Sequence, residues 1–232
     1  MRFLPLAVAD MSGEGVCVAG LDIDAEELVR LVLKGRRCLF TQQASRFVGN
    51  AVHQVRVGKR QPRECAVDPE RRHTEDLVMT DVLRTPIPLR PKEKLDLLSE
   101  FVDHDLRLGI AAGGRSLFLV EPREYSYHIN GYGKRRFGFR SSVTATFADS
   151  SSSSVRGTRI SVSHQGAPCT CPAWAAFAAQ WWPGQTVTQK EVATTCPGSR
   201  LFLLLSLSAL YRDRYWLIAA GAHVVGEDRI WL

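Results

Sequence analysis

A chain of 232 residues that is 45% hydrophobic can bury one large core or two small ones, and at this length it does not need a disulfide framework. The 30 Lys and Arg against 24 Asp and Glu leave a formal net charge of +6, which permits an anionic partner without demanding one. The six cysteines are too few and too irregularly spaced for a disulfide scaffold, and the longest apolar run, Leu201 to Leu210, is broken by serines far short of the ~20 residues that span a bilayer. The expectation is a cytoplasmic protein with no membrane segment.

The N-terminal MRFLPLAVAD reads as a strand rather than a signal peptide, because its apolar stretch is at the short limit of a signal core. Phe3 to Ala9 and Gly15 to Ile23 flank the turn-forming MSGEG and predict a hairpin. Asp24 to Lys34 has an acidic start, Leu28, Leu31 and Val32 at helical spacing and Gly35 just beyond, so the spacing predicts a helix. Arg36 to Phe40 reads as a strand. Asn50 to Val57 alternates with one slip of phase, which a bulge would produce.

A basic tract follows, with Arg56, Lys59, Arg60, Arg63, Arg71 and Arg72 set against Glu64, Asp68 and Glu70. Its Pro and Gly content predicts a loop. Two readings are open for it, a solvated charge run or a set of phosphate contacts made by Arg56, Lys59, Arg60 and Arg63. Leu77 to Leu83 returns as a strand, and the prolines of TPIPLRP mark a domain boundary at Pro86 to Pro91. Lys92 to Leu108 carries Leu95, Leu98, Phe101, Val102 and Leu106 at helical spacing and predicts a connecting helix.

Ser116 to Phe139 carries the most pointed pattern. Leu117 to Val120 is a short buried strand, and Asn130-Gly131 lies within alternating aromatic and polar residues, which predicts a hairpin with a two-residue turn. In that register Ile129 faces Tyr132, Tyr127 faces Lys134 and Tyr125 faces Arg136. Tyr125, Tyr127, Tyr132, Lys134 and Arg136 then share one face, with Arg135 at the edge, while Phe137 and Phe139 point to the core. Tyrosines rimmed with fixed cations suit stacked bases and phosphates. The competing reading is a solvated hairpin whose tyrosines cover apolar neighbours.

Beyond the hairpin, Ser142 to Phe147 and Thr158 to Val162 read as strands around a serine-rich loop, Ser150 to Ser154. Pro172 to Trp182 reads as a helix ended by Pro183-Gly184, with Trp174, Phe177, Ala178 and Trp181 on one stripe that plugs a barrel end and Trp182 off it. Leu201 to Leu207 and Tyr215 to Ala220 predict a central hairpin. The order from Leu117 onward is three strands, a helix and two strands, which is compatible with an OB barrel.

LAVADMSGEGVCVAG, SLFLVEP, RRFGF and LFLLLSLSALYRDRYWLIAAGAHVV, taken in order, resemble the prokaryotic dual OB-containing domain family. The sequence departs from it where Val143-Thr144 is followed by Ala145, with Asp149 some residues on, and in GAPCTCPAW before the helix. The resemblance implies two OB folds, nucleic-acid binding, and a place beside prokaryotic conflict or anti-phage defence genes.

Cys169-x-Cys171, Cys196 and His164 include zinc-ligand types, but a C-x-C pair with two scattered partners lacks the usual spacing, so neither metal nor other cofactor is expected. No Walker loop, G-x-S-x-G, H-E-x-x-H or deaminase signature is present, and Glu93-Lys94 with Asp76 or Asp81 is a weak imitation of a nuclease set. The expectation is therefore a mainly β protein. Residues 1–90 form a first OB-like barrel, 91–114 a helix-containing linker and 115–232 a second OB-like barrel. It acts without catalysis on nucleic acid, most simply single-stranded, within a larger assembly of partner proteins. The alternative is a scaffold that binds protein through its OB surfaces.

Overall fold

The computed structural model describes residues 1–11, 15–36, 38–47, 49–60, 63–64, 72–73, 75–103, 115–129, 135–140, 153–155, 158–161, 167–181, 186–207 and 215–232. The expected strand at Ser142 to Phe147, together with Tyr132, Lys134, His164 and Trp182, lies outside them.

The first half contains β1 (Arg2–Met11), β2 (Gly15–Asp22), β3 (Glu27–Val32), α1 (Thr41–Ala44), β4 (Ala51–Arg60), β5 (Arg63–Glu64), β6 (Arg72–His73), β7 (Asp76–Val82) and β8 (Ile87–Pro88). Five of these strands close into a barrel in the order β1-β2-β3-β7-β4, with β4 returning to β1 through Arg2↔Gln54 and Phe3↔His53. β3 and β7 pair in parallel and the other neighbours are antiparallel. Phe3, Val18, Val29, Leu31 and Val55 fill the interior. This order is compatible with an OB-like barrel.

Several elements differ from the pattern that their sequence predicts. Asp24 to Lys34 is not a helix, since Glu27–Val32 is the third strand of the barrel. Val29 and Leu31 enter the barrel while Leu28 packs on the second half of the chain, so both faces are covered and the strand loses the alternation that would have identified it. Among the described residues of Arg36 to Phe40, Leu39 contributes an isolated bridge to Val16 in place of the expected strand. β4 does carry register shifts against β7, at Arg56/Val57 and Val57/Arg60, which lie beyond the slip between Val52 and Val55 from which a bulge is expected. The basic tract is not all loop, because β4 runs on to Arg60 and β5 pairs with β6 through Arg63↔His73 and Glu64↔Arg72. Even TPIPLRP supplies a short strand, β8, against Ala51 and Val52.

Helix α2 (Pro91–Glu100) starts with Pro at its first turn and closes a capping box in which Glu93 accepts from the Arg90 backbone N–H at 2.9 Å. The helix ends at Glu100, short of the expected Leu108. Beyond it lie β9 (Leu117–Val120), β10 (Glu124–Ile129), β11 (Arg135–Arg140), β12 (Ser153–Val155), β13 (Thr158–Ser161), β14 (Ala167–Pro168), α3 (Pro172–Ala178) with a 3₁₀ turn at Ala179–Trp181, β15 (Val187–Thr188), α4 (Gln189–Thr195), β16 (Arg200–Leu207) and β17 (Tyr215–Val225). The end of the serine run is therefore strand, and α4 was not expected. Two sheets result, β14-β11-β10-β15 and β12-β13-β17-β16-β9. The neighbours across each are antiparallel except β13 and β17, which are parallel. Trp174 is fully buried between them, with Phe177 at 5.4 Å and Trp181 stacked edge-on to Phe177 at 5.2 Å, so the aromatic stripe of α3 plugs this core as its spacing predicts. Among the described residues no helix is long and apolar enough to cross a membrane.

No strand pairing among the described residues crosses Pro86 to Pro91, but the apolar core does. Leu4, Leu6, Leu21 and Leu28 from the barrel, Leu95 and Leu98 from α2, and Leu119, Phe202 and Leu204 from the second half form one buried cluster. β1 and β17 meet backbone to backbone, because a Cβ at Gly221 would overlap the Leu6 carbonyl. A polar clamp reinforces the junction. Arg30 donates to Asp76 Oδ1 at 2.8 Å and to Ser116 Oγ at 3.0 Å, and Glu75 Oε1 accepts from the backbone N–H groups of Ser116 and Leu117.

Candidate nucleic-acid interface

The central hairpin forms, but not in the expected register. β10 and β11 pair as Ile129↔Arg135, His128↔Arg136, Tyr127↔Phe137 and Tyr125↔Phe139, so residues 130–134 connect the strands in place of a two-residue turn. The longer connection changes which residues of β11 stand opposite each residue of β10, so that aromatic positions face aromatic positions instead of cations. Tyr127 is 1% exposed and meets Trp174 edge-on at 5.6 Å; Tyr125 is 9% exposed, and burial, aided by the nearby Cys196, holds its hydroxyl well above the usual phenol range. Both tyrosines belong to the core of the second half and cannot stack on a ligand. Arg135 and Arg136 are placed on β11 by backbone pairing, and Tyr132 and Lys134 lie outside the described residues. The expected stacking surface is thus broken up: the register sets Arg136 opposite His128, in the other phase from Tyr125 and Tyr127, and leaves Arg135 opposite Ile129 at the end of the face that those two tyrosines bury.

The basic tract gives a clearer arrangement. β4 turns His53 and Val55 inward and leaves Arg56 and Lys59 exposed, with no ion pair to either among the described residues. Arg60 is tied to Glu27 on β3, which neutralises it at the barrel end. Arg63 continues the tract on β5, where the Arg72–His73 strand pairs beside it. The bulge at Arg56/Val57 re-aims the end of β4, and the β5–β6 ribbon is the connection between the fourth and fifth strands of the barrel. Arg56 and Lys59 on the strand, and Arg63 and Arg72 at backbone positions of the ribbon, are therefore the cationic positions of this connection.

A buried polar junction escaped the sequence reading. Lys94 of α2 is fully buried, and its Nζ donates to Asn50 Oδ1 at 2.5 Å, to His223 Nδ1 at 3.1 Å and to the Leu232 carbonyl at 3.3 Å. Burial lowers the Lys94 ammonium to about 7. A space of about 430 Å³ lies beside this junction, lined in part by Asn50, His223, Trp231 and Leu232. The signal was present in the spacing, since Lys94 stands four residues before Leu98 on the apolar stripe of α2, but its charge argued for the solvent face.

The cysteines take structural places. Cys171 caps α3, its sulfur accepting from the Trp174 N–H at 3.4 Å, and burial raises its thiol; Cys196 is buried beside α4 and is raised in the same way. Among the described residues no group of three or more His, Cys, Asp or Glu is placed to hold a metal. Comparisons with family models, with curated proteins and with solved structures each return no match.

Proposed function

We propose that the chain binds single-stranded nucleic acid through the basic end of β4 and the β5–β6 ribbon, without catalysing a reaction on it. One observation carries this reading: Arg56 and Lys59 stand exposed where the fourth strand of a closed five-stranded barrel runs into the connection to the fifth. In OB-like barrels that connection is one of those that bind oligonucleotides. The phosphate chain supplies the affinity such a surface can offer, and the formal charge of +6 agrees in sign.

The second half supports the same architecture. If β9 and β10 are one strand bent at Pro122, and β11 and β12 together form the next, the neighbour order repeats that of the first barrel. The parallel β13–β17 pair then corresponds to the parallel β3–β7 pair. In this reading the protein is two OB-like barrels with a shared core, divided near Pro86 to Pro91. A role in a prokaryotic defence assembly with protein partners is part of the same proposal, and its support is the sequence resemblance to dual OB-containing proteins alone.

The test is a titration of a labelled 16-nucleotide single strand, and of a duplex of the same sequence, at several salt concentrations. Preferential, salt-sensitive binding of the single strand is expected. Absence of binding at low salt contradicts the proposal and leaves the scaffold reading.

A further inference from the structure

On the outside of the first barrel the surface that carries Arg56 does not end there. Arg56 stands opposite Asp81 across β4 and β7, and the Leu83 N–H donates to the Gln54 carbonyl at 2.8 Å, so the chain leaving β7 runs beside the start of β4. At that point the surface sinks into a depression of about 700 Å³ lined by Arg46, Gln54, Leu83, Arg84 and Ile87. Leu83 is 43% exposed and Ile87 60%, and with Phe40 they are the exposed large hydrophobic residues among the described ones. Paired exposed aliphatics within one depression mark a contact surface more than isolated ones do.

The rim is cationic. Arg46 donates from Nη2 to the Val82 carbonyl at 2.9 Å, which holds its guanidinium over the depression. Its carboxylate neighbour Asp81 is 3.8 Å away, with Oδ1 already accepting from the Val82 N–H at 2.8 Å. Arg84 is exposed and forms no ion pair among the described residues.

The geometry points to this depression as a second subsite for the strand held at Arg56 and Lys59, in which Arg46 and Arg84 contact phosphates and Leu83 and Ile87 pack on the face of an unpaired base. This inference rests on the nucleic-acid reading. A fitting ligand must bring negative charge for two guanidinium groups, an apolar face for two aliphatic side chains and a polar edge for Gln54, and one nucleotide carries all three. Leucine and isoleucine pack against base faces when they wedge between the base steps of a duplex, and an unpaired base offers the same apolar face. Gln54 and Arg60 are six residues apart on one strand, a span of ~20 Å at ~3.3 Å per residue, so a site of ordinary single-strand size reaches from the ribbon to the depression. An acidic peptide with an aliphatic side chain would satisfy the depression alone. Continuity with Arg56 and Lys59 favours the nucleic acid.

The experiment measures binding of a 16-nucleotide thymidine oligomer as a function of salt for the parent and two double variants whose folding is checked by their thermal midpoints. Arg46→Gln/Arg84→Gln is expected to lower the slope of log affinity against log salt by about 1.4, at ~0.7 per phosphate contact on a single strand. Leu83→Ser/Ile87→Ser is expected to weaken binding about tenfold with the slope unchanged. If the parent binds and either double variant behaves as the parent does, the subsite is overturned while the nucleic-acid reading stands, and the face is left to a protein partner. If the parent itself does not bind, both fall together.

Discussion

The Nζ of Lys94 lies 3.1 Å from Nδ1 of His223, inside the junction between the two halves of the chain. His223 Nε2 is 2.8 Å from the Leu6 carbonyl, which can only accept, so the ring carries its proton on Nε2 and Nδ1 accepts from the lysine. The ring is therefore neutral. Burial, with the Lys94 charge added, holds His223 well below its ordinary value, and burial lowers Lys94 to about 7.

Both shifts make stability depend on pH with the same sign. Between about 7 and the ordinary lysine value of 10.5 the unfolded chain binds more protons at Lys94 than the folded one, so stability rises with pH there. His223 acts likewise below 6.5, where acid costs stability. From pH 7 to 8.5 the denaturation midpoint should climb, with a slope of up to ~1.4 kcal/mol per pH unit from Lys94. Lys94→Met should flatten that climb and keep the acid loss. The difference between the two proteins isolates the lysine from Cys171 and Cys196, whose raised thiols act in the opposite sense above their ordinary value of 9.0. Identical pH profiles for the two would contradict the buried position of Lys94.

Arg30 and Asp76 are each about 4% exposed, so removing one leaves the other as a buried, uncompensated charge. Asp76→Ala should cost ~3–5 kcal/mol by chemical denaturation. A loss below 1 kcal/mol, the scale of a surface pair, would show that the clamp is open to water.

Gly221→Ala places a methyl against the Leu6 carbonyl, a backbone atom that has no rotamer to escape into. Destabilisation of ~1–3 kcal/mol or more is expected. Gly35→Ala, whose Cβ would meet nothing but whose φ is +72°, separates the contribution of backbone conformation from that of contact between the halves. A thermal midpoint for Gly221→Ala equal to that of the parent would mean that β1 and β17 do not meet as described.

Tyr127→Ala removes a fully buried ring from the Trp174 contact and should cost ~3–5 kcal/mol of stability. A variant of parent-like stability with weakened oligonucleotide binding would return Tyr127 to the surface.

What could be read from the sequence was governed by how many faces each segment buries. The β1–β2 and β16–β17 hairpins and the aromatic stripe of α3 all follow patterns set by one buried face or by an uninterrupted apolar run. β3 was missed because it is covered on both sides, by the barrel interior and by the other half, and its pattern then matches a helix. The tyrosine face was misplaced because register depends on the length of the turn, and the pairing of Ile129 with Arg135 spans residues 130–134 rather than Asn130-Gly131 alone. Of the candidate interface, Arg56 and Lys59 were legible as charge, and the strand that aligns them was partly legible as alternation. Arg46, Arg84, Leu83 and Ile87 were not, since they come together only when β7 lies against β4.

The most direct measurement is the salt dependence of single-strand binding for the parent and for Arg56→Ser/Lys59→Ser, two exposed positions where little change in stability is expected. If these side chains hold phosphates, the double variant binds more weakly at low salt and its slope of log affinity against log salt falls by about 1.4. A double variant that folds, binds with parent affinity and keeps the parent slope would contradict a nucleic-acid interface on β4.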